Sequence, residues 1–442
     1  VPYIPVTDSQ REAMLRKLGI ASSDALFSEI PGDLRFPELA IGEGLSETEV
    51  LREIASLAEL NADADGFRWF LGGGAYDHFV PAAVGALSSR GEFVTAYTPY
   101  QPEVSQGTLQ AIFEYQSMVA ELTGMEVVNA SHYDGATALA EAILMALRNT
   151  EGRNRILIPE GIHPEYRTVL DTYLAAFDVT VETYRSSPAE AARAVQGDDL
   201  AALISCYPDF FGTLPELKGA AEAVHEKGGI FIVHADPVML GLFRSPGSWG
   251  ADVVTAEGQS LGNDINYGGP FLGIMATTNA LMRRMPGRIV GETVDVEGKR
   301  GFVLTLVARE QHIRREKAVS NICSNQGLST LRACIYLALM GKQGLRKTAE
   351  LCWHRAHYCA AEIAKLPGFS VAPGTFFKEF TVTLPCDAEA LAEKLCDKRI
   401  VPGLPLSRYF PDRKNELLIC VTEKNSRADI DELVAALREA SR

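Results

Sequence analysis

Phe231-Ile232-Val233-His234-Ala235-Asp236-Pro237 is a short apolar run that ends in an acid and a proline. Its length suits a strand buried on both faces, and the acid falls where such a strand gives way to a loop. Similar runs stand on either side, at Val127-Val128, Ile156-Leu157-Ile158, Val179 to Val181, Leu203-Ile204 and Val253-Val254. Between them lie segments with helical spacing, such as Ala136, Leu139, Ala140, Ile143, Leu144 and Leu147. Strand and helix in alternation predict a large, doubly wound, mainly parallel sheet covered on both faces. Ligands of such sheets bind beyond the carboxyl ends of the strands, so the loops that follow the strands, Asp236-Pro237 among them, are where a site is sought. The competing role for Asp236 is a cap on the segment that follows it, since Asp before Pro is common at turns.

Outward from this sheet, the chain divides into three parts. Residues 1–60 read as a helical arm or lid. One helix starts at Thr7 or Ser9, and another starts at Ser46-Glu47-Thr48-Glu49 and runs through Leu51, Ile54, Leu57 and Leu60. Ile30-Pro31-Gly32-Asp33 and Phe36-Pro37 break helicity between them. Residues 61–305 hold the large α/β domain. Residues 306–442 hold long helices from Ser329 to Leu366 and then a small α/β domain. Its order is strand Phe380 to Leu384, helix Asp387 to Cys396, strand Leu417 to Val421 and helix Ser426 to Ala440.

A chain of 442 residues exceeds the usual size of one core, and 47% hydrophobic with 22% charged residues describes a globular protein. The formal charge of −15 argues against nucleic acid or an anionic membrane as the main partner. No apolar run reaches bilayer length, and the start Val1-Pro2-Tyr3-Ile4-Pro5 lacks the order of a signal peptide, so a cytoplasmic location is expected. Eight cysteines without a CxxC, seven of them after residue 320, predict reduced thiols rather than a disulfide framework.

The strip Tyr97-Thr98-Pro99-Tyr100-Gln101-Pro102-Glu103-Val104-Ser105-Gln106-Gly107 is the most unusual stretch. Two prolines stiffen it and hold the residues before them extended. Two tyrosines, a threonine, a glutamine and a glutamate supply donors, acceptors and a proton carrier, an inventory for gripping a small polar molecule. Capping explains only Ser105, as N-cap of the amphipathic run Leu109, Ile112, Phe113, Val119 and Leu122 that Gly124 closes. Upstream, Gly72, Gly73 and Gly74 allow a tight turn or a close approach to a ligand, and His78 suits either a ligand-facing or a packing role.

The strip resembles a motif of the glycine cleavage system P-protein family, the pyridoxal-phosphate-dependent glycine decarboxylases, in the first-subunit form of the two-subunit bacterial enzyme. Phe70-Leu71-Gly72-Gly73-Gly74-Ala75-Tyr76-Asp77-His78 resembles the same family. So do Arg309-Glu310-Gln311-His312-Ile313-Arg314-Arg315-Glu316-Lys317 and Ser320-Asn321-Ile322-Cys323. The resemblance implies the type I pyridoxal-phosphate-dependent transferase fold, similar to aspartate aminotransferase, with a small C-terminal domain. In that fold an aspartate pairs with the cofactor's pyridinium nitrogen, and Asp236 matches it. Cofactor-bearing relatives then carry a lysine after a Gly-Ala-Asp-Val strand. Here Gly250-Ala251-Asp252-Val253 leads to Glu257-Gly258-Gln259-Ser260, and Ser260 stands at the lysine position. A serine hydroxyl forms no imine. Asp134-Gly135-Ala136-Thr137 opens a helix able to cradle a phosphate, but Asp134 at the N-cap repels a dianion and reads as a plain cap.

Asp236 and Ser260 are therefore degenerate cofactor positions. The resemblance further implies that pyridoxal phosphate is held covalently by a lysine-bearing second subunit, in an α2β2 heterotetramer. The expected reaction is decarboxylation of glycine, with carbon dioxide released and the aminomethyl group passed to the lipoyl arm of H-protein. Tyr97, Thr98, Tyr100, Gln101 and Glu103 are this chain's expected contribution to the partner's active site. The alternatives are a self-contained cofactor enzyme, such as an aminotransferase or desulfurase using Lys299 or Lys317, and an inert assembly or regulatory subunit.

Two further clusters invite other readings. Cys352, His354, His357 and Cys359 suggest a metal site, yet at about 100° per residue the cysteines and histidines fall on opposite helix faces, and no metal is expected. Arg309, Arg314, Arg315 and Lys317 suit an anion, but Glu310 and Glu316 at helical spacing favour a salt-bridged interface helix.

Overall fold

Seven strands make the central sheet, in the spatial order Val127–Val128, Gly273–Thr277, Val253–Glu257, Ile230–Ala235, Leu200–Tyr207, Arg155–Pro159, Thr180–Tyr184. The computed structural model describes residues 5–35, 40–185, 188–307, 311–323 and 325–441. The last five strands of that order run parallel, whereas Gly273–Thr277 is antiparallel to both of its neighbours. Sequence reading does not recover Gly273–Thr277. Its run Gly273-Ile274-Met275-Ala276-Thr277 has no flanking helix to set the alternating rhythm, because it returns directly from its neighbour through a loop.

Residues alternate between the faces of the sheet, as the strand period of two requires. Leu157, Leu203, Phe231, Val233, Val254 and Ile274 join one cluster with helices Pro102–Thr123 and Gly327–Ile363. Ile156, Ile158, Ile204, Ile232, Val253 and Met275 join the other, with helices Gly135–Asn149 and Pro164–Leu174. Burial of both faces explains why these strands read as continuous apolar runs.

Helix Gly327–Ile363 serves two cores. Gly341, at φ 58°, breaks it. Ala333, Tyr336 and Leu345 pack against the large sheet, while Ala356, Cys359 and Ile363 pack against a four-stranded antiparallel sheet. That sheet runs Ser370–Val371, Glu379–Thr383, Glu416–Cys420, Leu404–Pro405, backed by helices Ala388–Cys396 and Arg427–Ala440.

The chain separates into the units Val1–Asn61 and Ala62–Arg442. In the first, helix Asp8–Leu18 begins with a capping box between Thr7 and Gln10 and ends on left-handed Gly19, and helix Glu47–Ala58 begins with a capping box between Ser46 and Glu49. Phe36-Pro37 and Val1 to Ile4 lie outside the described residues.

Two local expectations need correction. Ser105 is not the start of its helix: Pro102–Thr123 begins three residues earlier, with Gln101 at the N-cap. A proline at the first helical position loses no hydrogen bond and starts the turn early. Ser105 instead interrupts the helix, at φ −123° and ψ 20°. Nor do the basic residues share one long helix. Gln311–Arg314 is a four-residue helix followed by the turn Arg315–Lys317, with Arg315 at φ 52°, a torsion that ends α-helix. Arg309 and Glu310 lie outside the described residues.

Candidate functional site

Strand Ile230–Ala235 delivers Asp236 to the carboxyl edge of the sheet, as its sequence predicts. There Asp236 does two things at once. Its Oδ1 accepts hydrogen bonds from the amides of Val238 (2.9 Å) and Met239 (3.1 Å), so it does cap the following turn. Its Oδ2 lies 2.6 Å from Nζ of Lys378. Lys378 directly precedes strand Glu379–Thr383 of the small sheet and is 1% exposed. Burial would raise the Asp236 pKa, but the charge and hydrogen bond of Lys378 outweigh it and hold it below the ordinary value. Burial likewise opposes the lysine's charge, and Asp236 outweighs it, so Lys378 is held protonated.

The ammonium has two further neighbours. It sits 3.5 Å from the centroid of the Tyr76 ring and 3.0 Å from Nε2 of His78. An ammonium only donates, so His78 Nε2 accepts and its Nδ1–H donates to Glu423 Oε2 at 2.7 Å. His78 is thus a link in a buried polar chain. Ligand atoms of His78, Cys352 and Glu423 lie within 4.8 Å of one another, a grouping distinct from Cys352 with His354. His357 is occupied elsewhere, stacked on Phe376 with centroids 4.1 Å apart.

The glycine triplet meets the protein's own carboxylate. The Gly73 amide donates to Glu379 Oε1 (2.7 Å), and Tyr76 Oη donates to Glu379 Oε2 (2.7 Å). A Cβ on Gly72 would lie 2.2 Å from Glu379 Oε1, which is why glycine is required there.

Asp134 caps helix Gly135–Asn149 as expected, its Oδ1 accepting from the Thr137 amide at 2.7 Å. The Gly135 amide is also taken: it donates to Glu257 Oε2 at 2.8 Å. Glu257 Oε1 accepts from the amides of Gln259 and Leu272, each at 2.9 Å. Burial pushes Glu257 up to about 8 against the pull of these three amides. Ser260 is 2% exposed, and its Oγ has no hydrogen-bond partner among the described residues. A cavity of about 70 Å³ remains, bounded by Gly74, His163, Tyr166, His234, Asp236 and Glu257.

Sequence reasoning missed Lys378, Glu379 and Glu257. A signal was present: Lys378-Glu379 is a charged pair inside Phe376-Phe377-Lys378-Glu379-Phe380, and Glu257 ends an apolar strand. Neither Lys299 nor Lys317 lines this cavity; Lys378 is the lysine that reaches Asp236.

The strip lies in a different setting. Tyr97 is 81% exposed and Tyr100 44%. Gln101 and Glu103 are also exposed, and Thr98 is half-buried. Tyr97, Thr98 and Pro99 border a cavity of about 270 Å³ together with Arg288, Asn325 and Thr330. Arg288 is buried; its Nη2 donates to Tyr100 Oη at 2.8 Å, and its guanidinium sits 5.1 Å from the Tyr100 ring centroid. Tyr100 also meets His312 edge-on, at 5.8 Å between centroids. The structure therefore brings Tyr97 and Thr98 to one cavity, with Tyr100 tied to it through Arg288. Gln101 and Glu103 stand on the adjoining first helical turn and do not border that cavity.

This architecture is that of the pyridoxal-phosphate-dependent transferases. A sphingosine-1-phosphate lyase from Burkholderia pseudomallei shares it at 17% identity, with a TM-score of 0.66 over 93% of this chain and 94% of that one. A family model described as glycine cleavage system P-protein matches residues 1–437. A probable glycine dehydrogenase (decarboxylating) subunit 1 from Thermomicrobium roseum is 49% identical over 446 residues, covering 99% of both chains. The same-named protein of Desulforamulus reducens is 49% identical over 441 residues, covering 98% of this chain and 99% of its own. A solved glycine decarboxylase (P-protein) of the glycine cleavage system, in inhibitor-bound form, superposes with a TM-score of 0.90 at 45% identity over 99% of each chain. The chain belongs to the glycine cleavage system P-protein family.

The fold implies pyridoxal phosphate, but the residues at this chain's own strand ends do not fit it. Ser260 offers no imine nitrogen, Asp236 already holds a cation, and Glu257 already takes the amide at the helix start.

Proposed function

We propose that this chain is subunit 1 of a glycine decarboxylase and that it completes a cofactor site held by its partner. The second subunit binds pyridoxal phosphate through its lysine, and the two assemble as an α2β2 heterotetramer. Glycine loses its carboxylate as carbon dioxide, and the aminomethyl group passes to the lipoyl arm of H-protein. The cofactor supplies the electron sink for the charge that remains. This chain supplies Tyr97, Thr98, Tyr100, Gln101 and Glu103. The observation that carries the reading is the outward-facing strip, with the Tyr100 hydroxyl fixed by Arg288. Tyr100 orients substrate or cofactor through its ring and hydroxyl. Glu103 moves a proton or holds a partner side chain.

The test is glycine-dependent carbon dioxide exchange by the reconstituted complex, with assembly checked by size exclusion. Tyr100→Phe and Glu103→Gln should each lower the rate about a hundredfold to a thousandfold, the usual loss for one transition-state hydrogen bond. Near-normal rates in intact complex would leave only an assembly role.

The self-contained reading gains one observation, since Lys378 does reach Asp236. A lysine held protonated by a buried aspartate is a poor nucleophile, which weighs against it. Borohydride reduction and peptide mapping decide between them: a pyridoxyl group on Lys378 would overturn the shared-site reading.

A further inference from the structure

We propose that this chain carries an internally liganded cofactor seat, in which Glu257 replaces the phosphate of a pyridine phosphate ester and Lys378 replaces its cationic ring nitrogen. The proposal deepens the reading that this chain leaves the cofactor to its partner. It stands apart from any role of the strip.

Two fixed polar features of the seat call for ligands of opposite sign. The start of helix Gly135–Asn149 presents backbone amides and the positive end of a helix dipole, a setting that favours an anion. Glu257 occupies it by hydrogen bonding, its carboxyl group keeping its proton up to about pH 8: one oxygen takes the Gly135 amide at 2.8 Å, the other takes two loop amides at 2.9 Å, and the residue is 8% exposed. The fit is tight, since a Cβ on Gly135 would lie 2.6 Å from Tyr166 Oη and 3.0 Å from Glu257 Cβ. At the other end, Asp236 calls for a cation, and Lys378 fills that place at 2.6 Å. The two groups come from separate parts of the chain, one from the end of a central strand and one from the small sheet. The cavity that remains beside Glu257 and Asp236 is about 70 Å³. Ser260 is 2% exposed, its hydroxyl has no hydrogen-bond partner among the described residues, and it offers no covalent bond.

The proposal makes Glu257 exchangeable for a free anion. In the full chain, Glu257→Ser removes the carboxyl group, leaves room at the helix start and adds a small hydroxyl. Melting temperature is read in chloride and in inorganic phosphate at matched ionic strength, and again with pyridoxamine 5′-phosphate, which cannot form an imine with Lys378. The expected result is a wild-type melting temperature that does not respond to phosphate. Glu257→Ser should melt several degrees lower in chloride and recover in phosphate. Adding Lys378→Ala should shift the recovery toward pyridoxamine 5′-phosphate, whose ring nitrogen can then meet Asp236. A Glu257→Ser chain that folds only when phosphate is present also supports the proposal. Equal responses of wild type and variant to phosphate would overturn it, as would a variant that phosphate does not stabilise. Should Glu257→Ser fail to fold in either salt, Glu257→Ala, which also empties the helix start, decides: a phosphate-dependent rise in its melting temperature supports the proposal and no rise overturns it. These outcomes are separate from strip activity, so loss of one reading leaves the other testable.

Discussion

The inner pocket at Asp236 and the outer cavity at Tyr97 are built from similar chemistry and treated in opposite ways. In the inner pocket each buried polar group is matched by another from the same chain: Asp236 by Lys378, Glu423 by His78, and Glu257 by three amides. At and beside the outer cavity, Tyr97, Tyr100 and Glu103 are exposed, and the buried Arg288 holds the Tyr100 hydroxyl. A buried polar group costs stability unless it is satisfied, so self-pairing marks groups that serve the fold. Exposed groups on a stiff backbone carry no such cost and stay available to a second molecule.

This contrast can be broken most severely at Lys378. Lys378→Met leaves Asp236 buried and unpaired, and loss of one partner of a buried pair costs about 3–5 kcal/mol. Guanidinium unfolding of the full chain measures it, and a change under about 1 kcal/mol would mean that the pair is not structural. Next come the strip variants, with the effects reversed. Tyr100→Phe and Glu103→Gln should each cost about 2.7–4 kcal/mol in catalysis. Glu103→Gln should leave the unfolding midpoint unchanged, and Tyr100→Phe should cost only about 1 kcal/mol of stability, because it removes an acceptor of the buried Arg288. A fall in stability matching the fall in rate would erase the distinction between the two regions. A smaller effect is expected at the helix cap. Asp134→Ala removes the hydrogen bond to the Thr137 amide and should cost about 1 kcal/mol by the same unfolding measurement.

A further effect is a slope. Glu257 in the folded chain sits at about 8, above the ordinary 4.5. The native state keeps a proton there that the unfolded chain releases earlier, so its stabilising contribution is complete below pH 4.5 and is lost as the pH rises through about 8. Glu257→Gln should lack that loss. The stability difference between wild type and variant, followed from pH 5 to pH 9, should move in the variant's favour. Parallel profiles would show that the carboxyl group does not titrate in this window.

Much of this was legible from local pattern. Runs such as Ile156-Leu157-Ile158 and Ile230 to Val233 gave strands because both sheet faces are buried, and Thr7, Ser46 and Ser426 gave helix starts because capping is a local interaction. The serine at position 260, which cannot itself form an imine, and the odd composition of residues 97–107 required no coordinates, since both follow from side-chain chemistry. Other features lay beyond local pattern. The antiparallel strand Gly273–Thr277 depends on a pairing that no period encodes. The links from Lys378 to Asp236, from His78 to Glu423 and from Glu257 to Gly135 join residues 142, 345 and 122 positions apart. A charge in an apolar run announces that a partner is needed, but the partner's identity is set by which strand ends and loops the packed layers bring together. Only the tertiary structure decided that.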